Sequence, residues 1–156
     1  MSDTKVRVRK ATALLKEDHQ KVKKLFAQIE KLGASQETDK GEVFEQIRKE
    51  LTVHAQIEEE IFYPQAREAT KDNDLIDEAV VEHATVKNLI AEIESMEVGE
   101  DLYDAKIRVL GEMVKQHIKE EEEELFPELE PTKMGLEALG KELAERKEEL
   151  ISQMQA

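Results

Sequence analysis

All four histidines of the chain fall in repeated motifs. His54-Ala-Gln-Ile-Glu58 runs on to Pro64, and sixty-three residues later His117-Ile-Lys-Glu-Glu121 runs on to Pro127. Residues four apart share one face of a helix, one turn apart, so each copy offers an imidazole nitrogen and a carboxylate oxygen to one point in space. His19 and His83 belong to a second repeat, in which Asp18–Glu30 matches Glu82–Glu94 at seven of thirteen positions. Nitrogen and oxygen donors without sulfur suit iron, manganese or zinc. Four imidazoles and two carboxylates are too many for one tetrahedral zinc. They suit two octahedral ions if Glu58 and Glu121 both bridge. Each ion then holds two His nitrogens and two Glu oxygens, takes an oxo or hydroxo bridge as a fifth ligand, and keeps about one position open. Iron pairs are the usual occupants of carboxylate-bridged bundle cores, so two iron ions are expected, ahead of zinc or manganese.

Taken singly these signals are weak. A histidine in an apolar stripe is more often a hydrogen-bonded core residue than a ligand. A His-x-x-x-Glu pair can be a helix-surface ion pair worth ~0.3–0.5 kcal/mol. Their combination carries the weight. Two carboxylates buried side by side would cost several kcal/mol or take up a proton, and a cation removes the conflict. Of the five-Glu run Glu120–Glu124, helical spacing turns Glu121 inward, and Glu124 with it at most. Tyr63, nine residues beyond His54, falls on the opposite side of a regular helix and is not assigned a catalytic part.

Five helical stretches must position these groups. The first runs from about Ala11 to Leu32, with Leu15, Val22, Phe26 and Ile29 around His19 and a stop at Gly33. The second, from about Lys40 to Tyr63, carries the stripe Phe44, Ile47, Leu51, His54, Glu58, Ile61, and Pro64 is expected to kink or end it. Lys71 to Asp74 reads as a capped turn into a third helix, about Leu75 to Met96, with Ile76, Ala79, Val80, His83, Val86, Ile90 and Ile93 inward. Val98-Gly99 breaks that helix. The fourth, about Asp101 to Phe126, places Ile107, Leu110, Val114, His117, Glu121 and Leu125 on one side. A last amphipathic helix, about Thr132 to Gln153, carries Leu136, Leu139, Leu143, Leu150 and Met154. Short loops between long helices favour antiparallel neighbours, hence an all-α, up-down-up-down four-helix bundle with a C-terminal tail helix. Residues 1–10 read as a flexible tail, 11–130 as the bundle and 131–156 as the tail helix, which could pack on the bundle or pair with a second chain. His19 and His54 lie about equally far from the turn between them, ~22 Å at 1.5 Å per residue. The same holds for His83 and His117, and across the middle turn the distances agree if the second helix effectively ends near Pro64, so one layer is then expected to hold all four.

Composition narrows the class. With 156 residues the chain is one domain with a real core. No tryptophan, six glycines and three prolines leave little for strands or turns. No cysteine is present, which removes thiolate ligands and thiol chemistry. A net charge of −14 disfavours nucleic acid and anionic membranes as partners. The basic run Lys5, Arg7, Arg9, Lys10 is the exception and reads as a solvated terminus. No apolar run is long enough to span a membrane and no signal peptide is visible, so the expected location is the cytoplasm.

Asp18-His19, His54-x-x-x-Glu58 with Phe-Tyr-Pro, Glu82-His83, and His117-x-x-x-Glu121 with Leu-Phe-Pro occur in that order. In this the chain resembles the hemerythrin family, in its HHE cation-binding branch, over about residues 11–130. The resemblance implies His19, His54, His83 and His117 as terminal metal ligands and Glu58 and Glu121 as bridges. Oxygen-carrying hemerythrins place a second His four residues from the first on the third helix, where this chain has Ala79 and Lys87. Their last carboxylate is an Asp five after the His, a place held here by Glu122. One imidazole fewer opens a position on the second iron and speaks against stable oxygen carriage. The four-His, two-Glu set is similar to that of di-iron proteins implicated in repairing iron centres, although those usually carry a cysteine-bearing segment. The expected function is a non-heme di-iron protein that binds or reacts with oxygen, nitric oxide or peroxide in stress handling or sensing. The alternatives are an iron-holding module stabilised by its metal, and a structural bundle, empty or zinc-filled.

Overall fold

A computed structural model describes residues 9–33, 35–70, 73–132 and 134–155. The described residues are helical and contain no strand. In chain order the helices are α1 (Ala11–Glu30), α2 (Glu37–Ile57), α3 (Tyr63–Ala69), α4 (Asn73–Glu94), α5 (Tyr103–Glu120), α6 (Phe126–Leu129) and α7 (Leu136–Gln155). α1 lies mainly against α2, and α4 against α5, which gives two antiparallel hairpins facing one another. The expected bundle is the architecture found. The tail expected for residues 1–10 lies outside the described residues as far as residue 8, and so do Lys71 and Asp72 of the expected capped turn.

Two short segments separate α2 from α3 and α5 from α6: Glu58–Phe62 and Glu121–Leu125. Each is one wide π-helical turn, closed by Tyr63 N–H donating to the Glu58 carbonyl and by Phe126 N–H donating to the Glu121 carbonyl. Such turns insert one residue into an otherwise regular helix and concentrate at functional sites. They also account for the prolines. Pro64 and Pro127 stand in the first turn of α3 and α6, where a missing N–H breaks no regular bond. The chain therefore stays helical past Pro64, to Ala69, instead of ending there.

The core is divided. One apolar cluster, with Phe26, Phe44, Ile47, Ile93 and Leu110, fills the end of the bundle reached by the C-terminus of α1. The other, with Leu15, Ile57, Phe62, Ile76, Phe126 and Leu129, fills the opposite end and includes Leu136, Leu139, Leu143 and Leu150 of α7. The tail helix thus covers its own bundle, lying on α1 and α2. A Cβ on Gly140 would lie 1.8 Å from the Arg9 carbonyl oxygen, so α7 can approach the start of α1 only because position 140 has no side chain. Val80, expected inward, is 42% exposed, because α4 turns Ala79 and His83 toward the core instead. Between the two apolar clusters lies a polar layer.

Candidate metal centre

The layer is made of side chains that a core ordinarily excludes. His19, His54, His83, His117, Glu58 and Glu121 are all buried, Glu58 completely. One buried group comprises His19, His54, Glu58 and Glu121, and a second comprises Glu58, His83 and His117. Within each, the donor atoms lie inside 4.8 Å of one another. The six residues expected from the sequence are therefore brought together, one histidine from each of α1, α2, α4 and α5. The His19 and His54 rings are 5.0 Å apart, and the His83 and His117 rings 4.8 Å.

The carboxylates join the two pairs. Glu121 reaches His19 Nε2 through Oε1 at 3.1 Å and His117 Nε2 through Oε2 at 3.4 Å. Glu58 Oε1 lies 3.3 Å from His54 Nε2 and 3.1 Å from His83 Nε2. His83 Nε2 and His117 Nε2 face one another at 3.2 Å. Two donors on adjacent positions of one ion, each ~2.1 Å from it, lie ~3 Å apart. His54 Nε2 and Glu58 Oε2 are buried without a hydrogen-bond partner. Such atoms are rare in cores unless something else satisfies them. On donor type, separation and unsatisfied atoms, the layer fits a cation.

A second ring of carboxylates holds each imidazole by its other nitrogen. Nδ1 of His19 meets Glu122 at 2.6 Å, that of His54 meets Asp18 at 2.9 Å, that of His83 meets Glu59 at 2.8 Å, and that of His117 meets Glu82 at 2.6 Å. This arrangement fixes ring orientation and leaves Nε2 free to ligate. It also explains the repeated acidic residue before His19 and His83: each serves the histidine of the next helix, not its own neighbour. Glu122, and not Glu124, is the second inward-turned residue of the Glu run. It holds His19 from outside the layer, while Glu124 is exposed. The signal was present in the sequence, since Glu59 and Glu122 occupy matching places after Glu58 and Glu121.

Tyr63 corrects the sequence reading. On an unbroken helix nine residues rotate by about 180°, which would set Tyr63 opposite His54. The extra residue taken up in the wide turn removes about 100° of that rotation and brings the ring inward. Tyr63 is 2% exposed, and its hydroxyl donates to Glu121 Oε2 at 2.5 Å and lies 3.2 Å from Glu58 Oε1. It also lies 3.2 Å from His83 Nε2 and 3.5 Å from His117 Nε2. Its counterpart in the repeat is Phe126, which stacks on His19 at 6.0 Å.

The charges in the layer sustain one another. Burial opposes the charged form of His54, but Glu58 and Asp18 outweigh it and raise its pKa to about 10. Against the same burial, Glu121 and Glu82 raise His117 well above its ordinary value, and Glu58 raises His83. Burial pushes Glu121 up, yet His117 and its hydrogen-bond partners bring it well below the usual carboxylate range. Burial, then Glu121 and Glu58, hold the Tyr63 phenol protonated, well above 10. Beyond the layer, Lys147 of α7 donates to Asp18 Oδ1 at 2.6 Å, so the tail helix touches the carboxylate that orients His54. Lys87, four residues after His83, is exposed and lines a cleft of about 480 Å³ that opens onto the layer.

Two facing helical hairpins with a buried His/Glu layer define a cation-binding bundle. Residues 10–129 match the hemerythrin HHE cation binding domain, and the chain belongs to that family. A crystal structure of a hemerythrin HHE cation binding domain-containing protein from Mycobacterium kansasii is similar to it. The TM-score is 0.78 at 29% identity, over 91% of this chain and 87% of that one. A protein of Nostoc sp. named DNA nickase is 32% identical over 113 residues, 72% of this chain. The chain spans only 31% of that relative's length. Among the described residues, no helix is long and apolar enough to cross a membrane.

Proposed function

We propose that the layer holds two iron ions, with His19 and His54 on one, His83 and His117 on the other, and Glu58 and Glu121 shared between them. The protein would use them to bind or react with a small ligand such as oxygen, nitric oxide or peroxide in stress handling or sensing. The observation that carries this reading is the divided donor set: two imidazole pairs joined by two buried carboxylates, each imidazole held at Nδ1 by its own carboxylate. Bound iron would supply open coordination positions and electrons. The chain's own residues do the rest. Asp18, Glu59, Glu82 and Glu122 orient the ligating nitrogens and raise their basicity. The apolar clusters on either side bound the layer and leave the cleft as its opening. Tyr63 keeps its proton at Oη beside His83 and His117, donated to the Glu121 carboxylate. Placed against a relative named for DNA nicking, a chain of net charge −14 favours a small ligand over a polyanion. The test is metal analysis of protein from iron-replete cells, with a near-ultraviolet spectrum in air. Iron at about two per chain with new near-ultraviolet absorption supports the reading. Zinc, or a spectrum without it, contradicts it. The second reading, an iron-holding module, is favoured by the dense charge of the layer. It predicts tight iron binding without any spectral response to azide or nitric oxide.

A further inference from the structure

The cleft beside the layer is larger than a diatomic ligand requires. Its volume is about 480 Å³, whereas one water occupies ~30 Å³ of liquid, and small-molecule pockets run from ~300 to 1,000 Å³. It is also directional. All four histidines line it, while Glu58, Glu121 and Tyr63 do not. The carboxylates and the phenol therefore close the layer on one side, and the cleft is the way in on the other. From the histidines it runs between α2 and α4, which touch each other far less than either touches its hairpin partner. Its length follows from register. Arg48 lies two turns before His54, and Glu94 three turns after His83, so the cleft extends ~9–16 Å at 1.5 Å per residue. At that far end an Arg48–Glu94 ion pair of 3.2 Å ties the two helices together.

The walls between these ends are mainly apolar, with Val22, Leu51, Val86, Ile90, Val114 and Ile118, while the polar Thr52, Gln56 and Glu59 also line the cleft. Arg48 is already engaged by Glu45 and Glu94. Lys87 forms no ion pair among the described residues, and it stands one turn from His83 on the wall of the cleft. A sugar or nucleotide would leave its polar groups unpaired along such walls. An aliphatic chain would not, and a cation next to the layer suits an oxygen-bearing head over an amine.

We propose that this cleft binds an aliphatic molecule with a terminal oxygen-donor head, a fatty acid or its hydroperoxide analogue, with its head at the histidine layer and its tail toward Arg48 and Glu94. The head contact rests on the metal-site reading; the tail contact does not.

Isothermal titration of the purified protein with decanoate, in metal-loaded and chelated form, tests the proposal. Saturable binding of about one decanoate per chain is expected, with acetate binding at least tenfold more weakly because it lacks the tail. Ala91→Trp on α4 and Thr52→Trp on α2 each plug the cleft from one wall. Both should weaken decanoate at least tenfold while leaving metal content unchanged. Lys87→Met should weaken decanoate more than decanol. Competition by decyl hydroperoxide identifies the hydroperoxide as an occupant, and failure to compete restricts the site to the acid. The proposal is overturned if decanoate shows no saturable binding, or if neither tryptophan variant, folded by circular dichroism, weakens it. Binding that persists in a protein found to hold no metal would sink the iron reading and leave the cleft standing.

Discussion

The two hairpins of the bundle, α1 with α2 and α4 with α5, are near repeats that differ at two places in the layer. In each, the acidic residue before the first histidine holds the second histidine, Asp18 on His54 and Glu82 on His117. In each, a wide turn begins at a buried glutamate and ends before an aromatic ring. Yet the aromatic is Tyr63 in one and Phe126 in the other, so a single hydroxyl reaches the His83–His117 side. Asp18 is also tied to Lys147 of the tail helix, a cation that Glu82 lacks among the described residues. The comparison shows that a duplicated scaffold can surround its two histidine pairs with unlike groups. The repeated residues supply the imidazoles and carboxylates, and the unrepeated ones set the difference between the halves.

Removing what the halves share should have the largest effect. Glu58→Ala and Glu121→Ala each take a carboxylate from both histidine pairs, and iron per chain, measured by mass spectrometry, should fall from about two to below one. His54→Leu and His117→Leu each strike one half and should leave about one iron. Next come the outer carboxylates. Asp18→Ala and Glu82→Ala should each weaken iron binding about 10–100-fold in chelator competition. If the two differ by more than that range, Lys147 contributes beyond its contact with Asp18.

Exchanging the aromatics sharpens the comparison further. Tyr63→Phe makes the halves alike and removes the hydroxyl that Glu121 accepts from, at a cost of about 1–3 kcal/mol in denaturant unfolding. Mössbauer spectra of the iron-loaded protein should resolve two environments that converge in Tyr63→Phe, and Tyr63→Phe/Phe126→Tyr should restore the difference. Spectra that ignore both variants would mean that the hydroxyl does not distinguish the sites.

In the chelated protein, protons take the place of metal, and the sign of the pH effect is fixed by the histidines. The folded pKa of His54, about 10, lies above its ordinary 6.5. Its contribution to stability is therefore complete below pH 6.5 and lost as pH rises through 10. His83 and His117 are raised as well and act in the same direction. Glu121, held low, acts oppositely, and its contribution is lost only in strong acid. Thermal unfolding of the chelated protein should thus weaken from pH 6.5 toward 10, and iron loading should remove that slope. A flat profile would mean that the layer carries no imidazolium. Lys147→Met should give the smallest effect, a few-fold loss of iron affinity, because its ammonium is partly solvated and one bond removed from His54.

The fold and the six residues that the layer brings together were legible because helical period and repeat encode both. His54 and Glu58, four apart, share a face in any helix, and the apolar stripes fixed which face turned inward. Tyr63 was not legible. A wide turn leaves no mark in an amphipathic pattern, and one inserted residue moves every later side chain around the axis. Glu122 was visible as the residue five after His117, but its part in holding His19 was not, because it stands in a run of five glutamates whose composition reads as a solvated surface. The part played by Asp18 was obscured because a residue adjacent to His19 in sequence serves His54 in space. The place of α7 on its own bundle depended on Gly140, whose fit against Arg9 exists only in three dimensions.

The central claim is that the layer is a two-metal site divided along the repeat. Iron per folded chain, measured on protein loaded anaerobically with ferrous iron and freed of excess, tests it most directly. The account predicts about two irons per chain, with His54→Leu and His117→Leu each at about one. A wild-type value near one or zero, or a single histidine variant that still holds the full amount, would contradict it.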